Sequence, residues 1–174
     1  MSVSDGPRTT ERPIPSFDAA PGTDRKLCII CSKGSLDMAY PGLILGNAAL
    51  GEGIETHLFF TFWGFDVIRT ATMGSLQFTP LANPAAHMPN AVSGLPGMQA
   101  MATRMMQRKI GALEVPTVPE MLEQIKDAGG HLWACRMSMD MNGLTLEDLY
   151  DGVDGVLNAS EFIEISAGAQ TLFI

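Results

Sequence analysis

Residues 26–62 carry a strand–helix–strand pattern, which constrains the fold more than any other feature of the sequence. Lys26–Cys31 is a short apolar run typical of a strand buried on both faces. The apolar positions from Leu36 to Leu50 suit a helix that ends at Gly51–Gly53. Thr56–Phe62 is aromatic and β-branched, as in a second strand. Such units form parallel sheets with right-handed crossovers.

The rest of the chain continues this alternation after one interruption. Prolines at positions 80, 84, 89 and 96 exclude long regular elements from residues 72–96. Further helices are predicted over residues 97–110, 116–128, 144–150 and 159–166, and further strands over 131–134, 155–157 and 171–174. We therefore predict an α/β fold, with a flexible tail at residues 1–24 and a single domain over residues 25–174 that contains five short parallel strands.

Composition and charge exclude several classes of function. The chain is 46% hydrophobic and 17% charged, which indicates a globular protein. Its formal net charge is −8 and its eleven Lys and Arg residues are scattered, so no nucleic-acid partner is expected. Neither a long apolar run nor a leader-like start is present, so no membrane contact or secretion is expected. The three cysteines cannot all pair within one chain, and we expect a cytoplasmic protein with reduced thiols.

Cys135 is the strongest candidate for a functional residue. It ends the predicted third strand, a polar turn is predicted over Met137–Asp140, and Thr145 has the pattern of a helix start. This order places a thiol at the carboxyl edge of a parallel sheet, where open α/β folds bind their ligands. Arg136 and nearby amides would favour the thiolate. A small buried core cysteine explains the same residue equally well.

The other chemical motifs are weak. Cys28 and Cys31 have the spacing of a dithiol or zinc site, but they lie in a predicted strand, where residues three apart point to opposite faces. Cys31, at the carboxyl end of that strand, remains a possible second thiol. His57 and His131 fall at strand starts, away from Cys135, so no metal site is expected. No glycine-rich phosphate loop or nucleophile elbow occurs, and no cofactor is expected.

Several segments together resemble the DsrE/DsrF/DrsH-like family, in particular its longer DsrE-type branch, which is often labelled peroxiredoxin-like. The matching segments are Phe59–Gly64, Asn83-Pro84 with the Pro-rich loop, Leu95–Met98 through Met106, Ala134–Asp140, Asp148–Gly152 and Thr171–Ile174. The resemblance implies a three-layer α/β/α sandwich with strand order 4-3-2-1-5 and a Pro/Met-rich insertion at 73–106. In that order Cys31 and Cys135 lie about 10 Å apart across the second strand, too far for a disulfide without movement.

The resemblance also implies a role in sulfur relay. Cys135 matches the family's acceptor cysteine, which would take sulfane sulfur as a persulfide from a donor protein and pass it to an acceptor protein. Arg136 would stabilise the thiolate. Residues 73–106 would form a cover or a docking surface beside the site. The protein would form a homo-oligomer. Whether the chain is a sulfurtransferase or a stoichiometric carrier stays open. The alternatives are a nucleotide- or flavin-binding module, a thiol peroxidase-like protein and a scaffold with an unreactive Cys135.

Overall fold

The computed structural model describes residues 25–79 and 97–174. The predicted tail at 1–24 and most of the Pro-rich segment, residues 80–96, lie outside the described residues. The strands are β1 (Lys26–Cys31), β2 (Glu55–Phe60), β3 (His131–Cys135), β4 (Gly155–Leu157) and β5 (Gln170–Phe173). The helices are α1 (Leu36–Gly51), α2 (Phe65–Ile68), α3 (Met98–Ala112), α4 (Val118–Asp127), α5 (Arg136–Met141) and α6 (Ala159–Ile165), with short 3₁₀ turns at Phe62–Gly64 and Leu146–Asp148.

The strands form one parallel sheet in the order β4-β3-β2-β1-β5, which confirms the order that the family resemblance implied. The register pairs Ile29 with Leu58 and Leu58 with Leu132, and all three side chains are fully buried. These residues lie on the face that α1 and α4 cover. On the opposite face, Phe162 of α6 stacks on Phe59 with 4.4 Å between ring centroids. The sheet is therefore the middle layer of an α/β/α sandwich.

Helix α4 shows how the sequence specifies this packing. Thr117 and Glu120 form a capping box, in which each side chain pairs with the other residue's backbone, and this satisfies free amides of the first turn. The buried positions repeat at intervals of three and four, as expected for one apolar face, and are Val118, Met121, Leu122 and Ile125. Gly129, with a φ of 84°, then reverses the chain into β3.

Asp154, which directly precedes β4, joins the start of this strand to α4 and β3. Its carboxylate accepts hydrogen bonds from the Lys126 ammonium and from the Leu132 amide, each at 2.7 Å. Burial raises the pKa of Asp154, but these two hydrogen bonds outweigh it and hold that pKa below its ordinary value. No helix within the described residues is both long and apolar enough to cross a membrane.

Candidate functional site

Cys135 is the last residue of β3, and α5 begins at Arg136 without an intervening loop. The prediction of a turn over Met137–Asp140 is therefore wrong: these residues are helical. Arg and Met have good helix propensity, and burial of Met139 and Ser138 anchors the helix against the sheet. The Cys135 side chain is only 8% exposed, so the sulfur lies just below the surface.

Thr61, which follows β2, and Ser138, in α5, both lie beside Cys135. Burial alone raises the pKa of the Cys135 thiol. The Thr61 hydroxyl, the amide and hydroxyl of Ser138 and the amide of Met137 more than offset that effect, so the pKa lies below its ordinary value. The thiolate is thus favoured by hydrogen bonds at the carboxyl edge of the sheet.

Thr61 and Ser138 hold each other in place beside Cys135. Their hydroxyl oxygens are 3.1 Å apart, and the Phe62 amide donates to the Ser138 hydroxyl at 2.8 Å. Ser138 is fully buried and Thr61 nearly so. Sequence reasoning missed both residues. Had α5 been predicted, Ser138 would have fallen one helical turn after Cys135, where side chains meet.

The turn that follows Thr61 has an unusual backbone. Phe62 has a φ of 48°, a left-handed value that is uncommon for a bulky residue other than glycine. It places Phe62 and Trp63 at the surface, where they are 47% and 67% exposed. The hydrogen bond from the Phe62 amide to Ser138 joins this turn to the helix that follows Cys135.

Arg136 and Asp140 lie exposed beside Cys135. Together with Met137, Asn158 and Ala159 they line a surface pocket of about 370 Å³ into which Cys135 opens. The groups that lower the pKa of Cys135 are the hydrogen-bond donors described above. The place of Arg136 at the pocket suits a guanidinium that contacts an anion bound there.

The structure does not bring Cys31 to Cys135. Cys31 aligns with Phe60, which aligns with Ala134, so Cys31 shares the face of Ala134 and Cys135 has the opposite face. The Cys31 sulfur packs against α1, 3.0 Å from where a Cβ on Gly42 would lie. Burial raises the pKa of Cys31 to about 12. Cys28 is also buried, and burial raises its thiol pKa.

His57 and His131 form a separate cluster toward the amino end of the strands. The rings of His57 and His131 stack with their centroids 4.7 Å apart. His57 is hydrogen-bonded to Glu55 at 2.7 Å and accepts from the Trp133 indole at 3.0 Å. Burial lowers the pKa of His57, which favours its neutral form. Within residues 25–79 and 97–174, no cluster of three or more His, Cys, Asp or Glu side chains could hold a metal ion.

Fold and site together define an α/β sandwich with a nearly buried cysteine at the carboxyl edge of a parallel sheet. Residues 23–173 match the model of the DsrE/DsrF/DrsH-like family. The sulfur carrier protein DsrE2 of Allochromatium vinosum is 36% identical over 150 residues, which cover 82% of this chain and 92% of that protein. The chain therefore belongs to the DsrE/DsrF/DrsH-like family.

More distant similarities agree with this assignment. The uncharacterized protein YrkE of Bacillus subtilis is 28% identical over 155 residues, which cover 86% of this chain and 97% of that protein. The YchN protein of E. coli has the same fold, with a TM-score of 0.52 and 15% identity over 86% of this chain and 99% of that chain. MTH1491 of Methanobacterium thermoautotrophicum has a TM-score of 0.50 and 12% identity over 87% and 100% of the respective chains.

Proposed function

We propose that this protein is a sulfur relay protein that carries sulfane sulfur as a persulfide on Cys135. The observation that carries this proposal is the position of Cys135, a nearly buried thiol at the carboxyl end of β3 that opens into a pocket lined by Arg136 and has a pKa below its ordinary value. Family membership and the similarity to a sulfur carrier protein support the general role in sulfur relay. The partners are then proteins that bear a persulfide or a thiol.

Loading and unloading are two exchange reactions at sulfur. In loading, the Cys135 thiolate attacks the outer sulfur of a donor persulfide, the donor's S–S bond breaks, and the donor leaves as a thiolate. In unloading, an acceptor thiolate attacks the outer sulfur on Cys135, and Cys135 leaves as a thiolate. A thiolate already favoured by hydrogen bonds serves as nucleophile in the first step and as leaving group in the second.

Arg136 has an electrostatic role in this proposal. Its exposed guanidinium lines the same pocket as Cys135. A persulfide anion on Cys135, or an anionic donor, would bind there beside a fixed positive charge. We expect Arg136→Gln to slow loading from an anionic donor such as polysulfide more than Arg136→Lys does, which would separate charge from side-chain length.

Intact-protein mass spectrometry tests the proposal directly. After anaerobic incubation with polysulfide, the wild type should gain about 32 Da per sulfur, and reductant should reverse the gain, which excludes a sulfinic acid of nearly equal mass. Cys135→Ser should gain nothing. Cys31→Ser and Cys28→Ser are matched controls in the same sheet and should load like the wild type. Loading of Cys135→Ser would overturn the proposal.

We also propose that the protein acts in the cytoplasm as a homo-oligomer. All three cysteines are free, as is usual in a reducing compartment. Helix α1 is apolar on several sides and leaves Ile44 and Leu45 each 45% exposed, whereas a helix apolar all round is normally covered. Light scattering after size exclusion tests this: a wild-type monomer would contradict it, and Ile44→Glu should dissociate the oligomer.

A further inference from the structure

A persulfide has two sulfurs that an acceptor thiolate can attack, with different products. Attack of RS⁻ on the outer sulfur of Cys135–S–SH breaks the S–S bond, gives R–S–SH and returns the electron pair to Cys135 as a thiolate. Attack on the inner sulfur gives the mixed disulfide R–S–S–Cys135 and expels HS⁻. Only the first reaction transfers sulfane sulfur. A relay protein therefore needs a structural means of selecting it.

The surroundings of Cys135 differ between its two sides. On one side lie Thr61, which is next to Cys135 because Phe60 pairs with Ala134, and Ser138, which follows Cys135 by about one helical turn. The Cys135 sulfur belongs to a side chain only 8% exposed, and Ser138 behind it is fully buried. On the other side lies the pocket that Arg136 lines.

The hydrogen bonds of the Thr61 and Ser138 hydroxyls leave one O–H free to donate to the Cys135 sulfur. The Phe62 amide donates to the Ser138 oxygen, and the hydroxyls of Thr61 and Ser138 are 3.1 Å apart, so one of them donates to the other. If Ser138 donates to Thr61, the Thr61 proton is left for the sulfur. If Thr61 donates to Ser138, the Ser138 proton is left instead. Either arrangement leaves one hydroxyl proton for Cys135.

We infer that Thr61 and Ser138 select the outer sulfur of the Cys135 persulfide for transfer. This inference rests on the proposed function. The hydroxyl pair donates one O–H to the thiolate that leaves when the outer sulfur is attacked, which accelerates transfer. The two side chains also enclose the inner sulfur, so an acceptor meets the outer sulfur in the pocket first. Loss of both hydroxyls slows attack on the outer sulfur and exposes the inner sulfur.

Single-turnover unloading tests the inference. Polysulfide-loaded protein is mixed with glutathione and acid-quenched within the first turnover, and the mixed disulfide on Cys135 is quantified against the unmodified thiol by intact mass. The double variant Thr61→Val/Ser138→Ala, which removes both hydroxyls, should raise the ratio of mixed disulfide to free thiol severalfold, because the leaving Cys135 thiolate loses its hydroxyl donor. Thr61→Ser keeps both hydroxyls and should keep the wild-type ratio. Either single variant, Thr61→Val or Ser138→Ala, leaves one O–H free for the sulfur and should raise the ratio less than the double variant does.

Thr56→Val is the matched control. Thr56 is a fully buried threonine in β2, the strand that Thr61 follows, and its hydroxyl donates to the Ile54 carbonyl, far from Cys135. It should leave the product ratio unchanged whatever it does to stability. A ratio for the double variant equal to that of the wild type and Thr56→Val overturns the inference even though loading occurs. Failure of the wild type to load overturns the proposed function instead, so the two failures are distinguishable.

Discussion

Gly64→Ala should destabilise the protein because a side chain at this position has no space. Gly64 belongs to the 3₁₀ turn that follows Thr61, and an added Cβ would lie 2.0 Å from the Cys31 carbonyl oxygen. Neither the Cys31 carbonyl nor a Cβ on residue 64 can rotate out of the way, because the backbone fixes the position of both. The same carbonyl accepts a hydrogen bond from the Thr61 amide at 3.0 Å. The turn can make room only by moving away from β1.

The size of the effect follows from these distances. Real Cβ contacts essentially never fall below 3.0 Å, whereas the added Cβ would lie 2.0 Å from the carbonyl oxygen. The turn and β1 would therefore have to separate by about 1 Å. Overpacking of a tight site costs roughly 1–3 kcal/mol, and a stretched or lost Thr61–Cys31 hydrogen bond adds about 1 kcal/mol. A loss of about 3 kcal/mol should lower the melting temperature by about 6–12 °C for a chain of this size.

Urea unfolding of Gly64→Ala and Gly74→Ala measures this prediction. Gly74 has open space around the added Cβ and should change the free energy of unfolding by less than about 1 kcal/mol. The moved turn should also carry Thr61 away from Cys135, so the apparent pKa in a pH series of Cys135 alkylation should rise toward its ordinary value. Gly64→Ala as stable as Gly74→Ala would refute the packing argument.

Three further results are expected. At pH 8 Cys135 should be alkylated much faster than Cys31, which with a pKa of about 12 is only about one part in ten thousand thiolate; equal rates would contradict the site geometry. Asp154→Asn should lower the free energy of unfolding by about 1–3 kcal/mol at pH 7. Because the folded pKa is depressed, this difference should shrink as the pH falls below the ordinary value of 3.8, in urea titrations at several pH values. Phe162→Ala should cost about 3–5 kcal/mol in the same assay, against less than about 1 kcal/mol for the exposed Ile163→Ala.

The strands could be predicted because their signals are local. The bounds of β1 and β4 agree with the sequence prediction, since apolar runs in a buried parallel sheet are bounded by polar residues or glycine. The order of the strands came from the family resemblance, because periodicity does not specify which strands are neighbours. The predicted second strand extended to Phe62, but β2 ends at Phe60, where the chain turns toward Ser138.

The sequence prediction of the candidate site included Cys135, Arg136 and Asp140, but not Asn158, Ala159, Thr61 or Ser138. Thr61 and Ser138 lie 77 positions apart in the chain. Thr61 is an ordinary polar residue after a strand, and Ser138 is one in a short helix. Their proximity depends on β2 and β3 being in-register neighbours and on α5 starting directly after Cys135. The second condition was predicted wrongly, because burial of Met139 and Ser138 outweighed the polar character of the segment.

The register of the strands also keeps the other two cysteines away from Cys135. Cys31 lies two strands away from it, on the opposite face, and its sulfur packs under α1. Cys28 shares the face of Cys135 but belongs to β1 near its amino end, aligned with His57 and His131 at the start of β3. The sequence has no fourth cysteine. Under the proposed function, neither of these two thiols can take a sulfur from Cys135 in the folded chain, because bridged cysteines need Cα atoms within about 7 Å. The proposed acceptor is then another molecule, as a relay requires and an intramolecular dithiol enzyme does not.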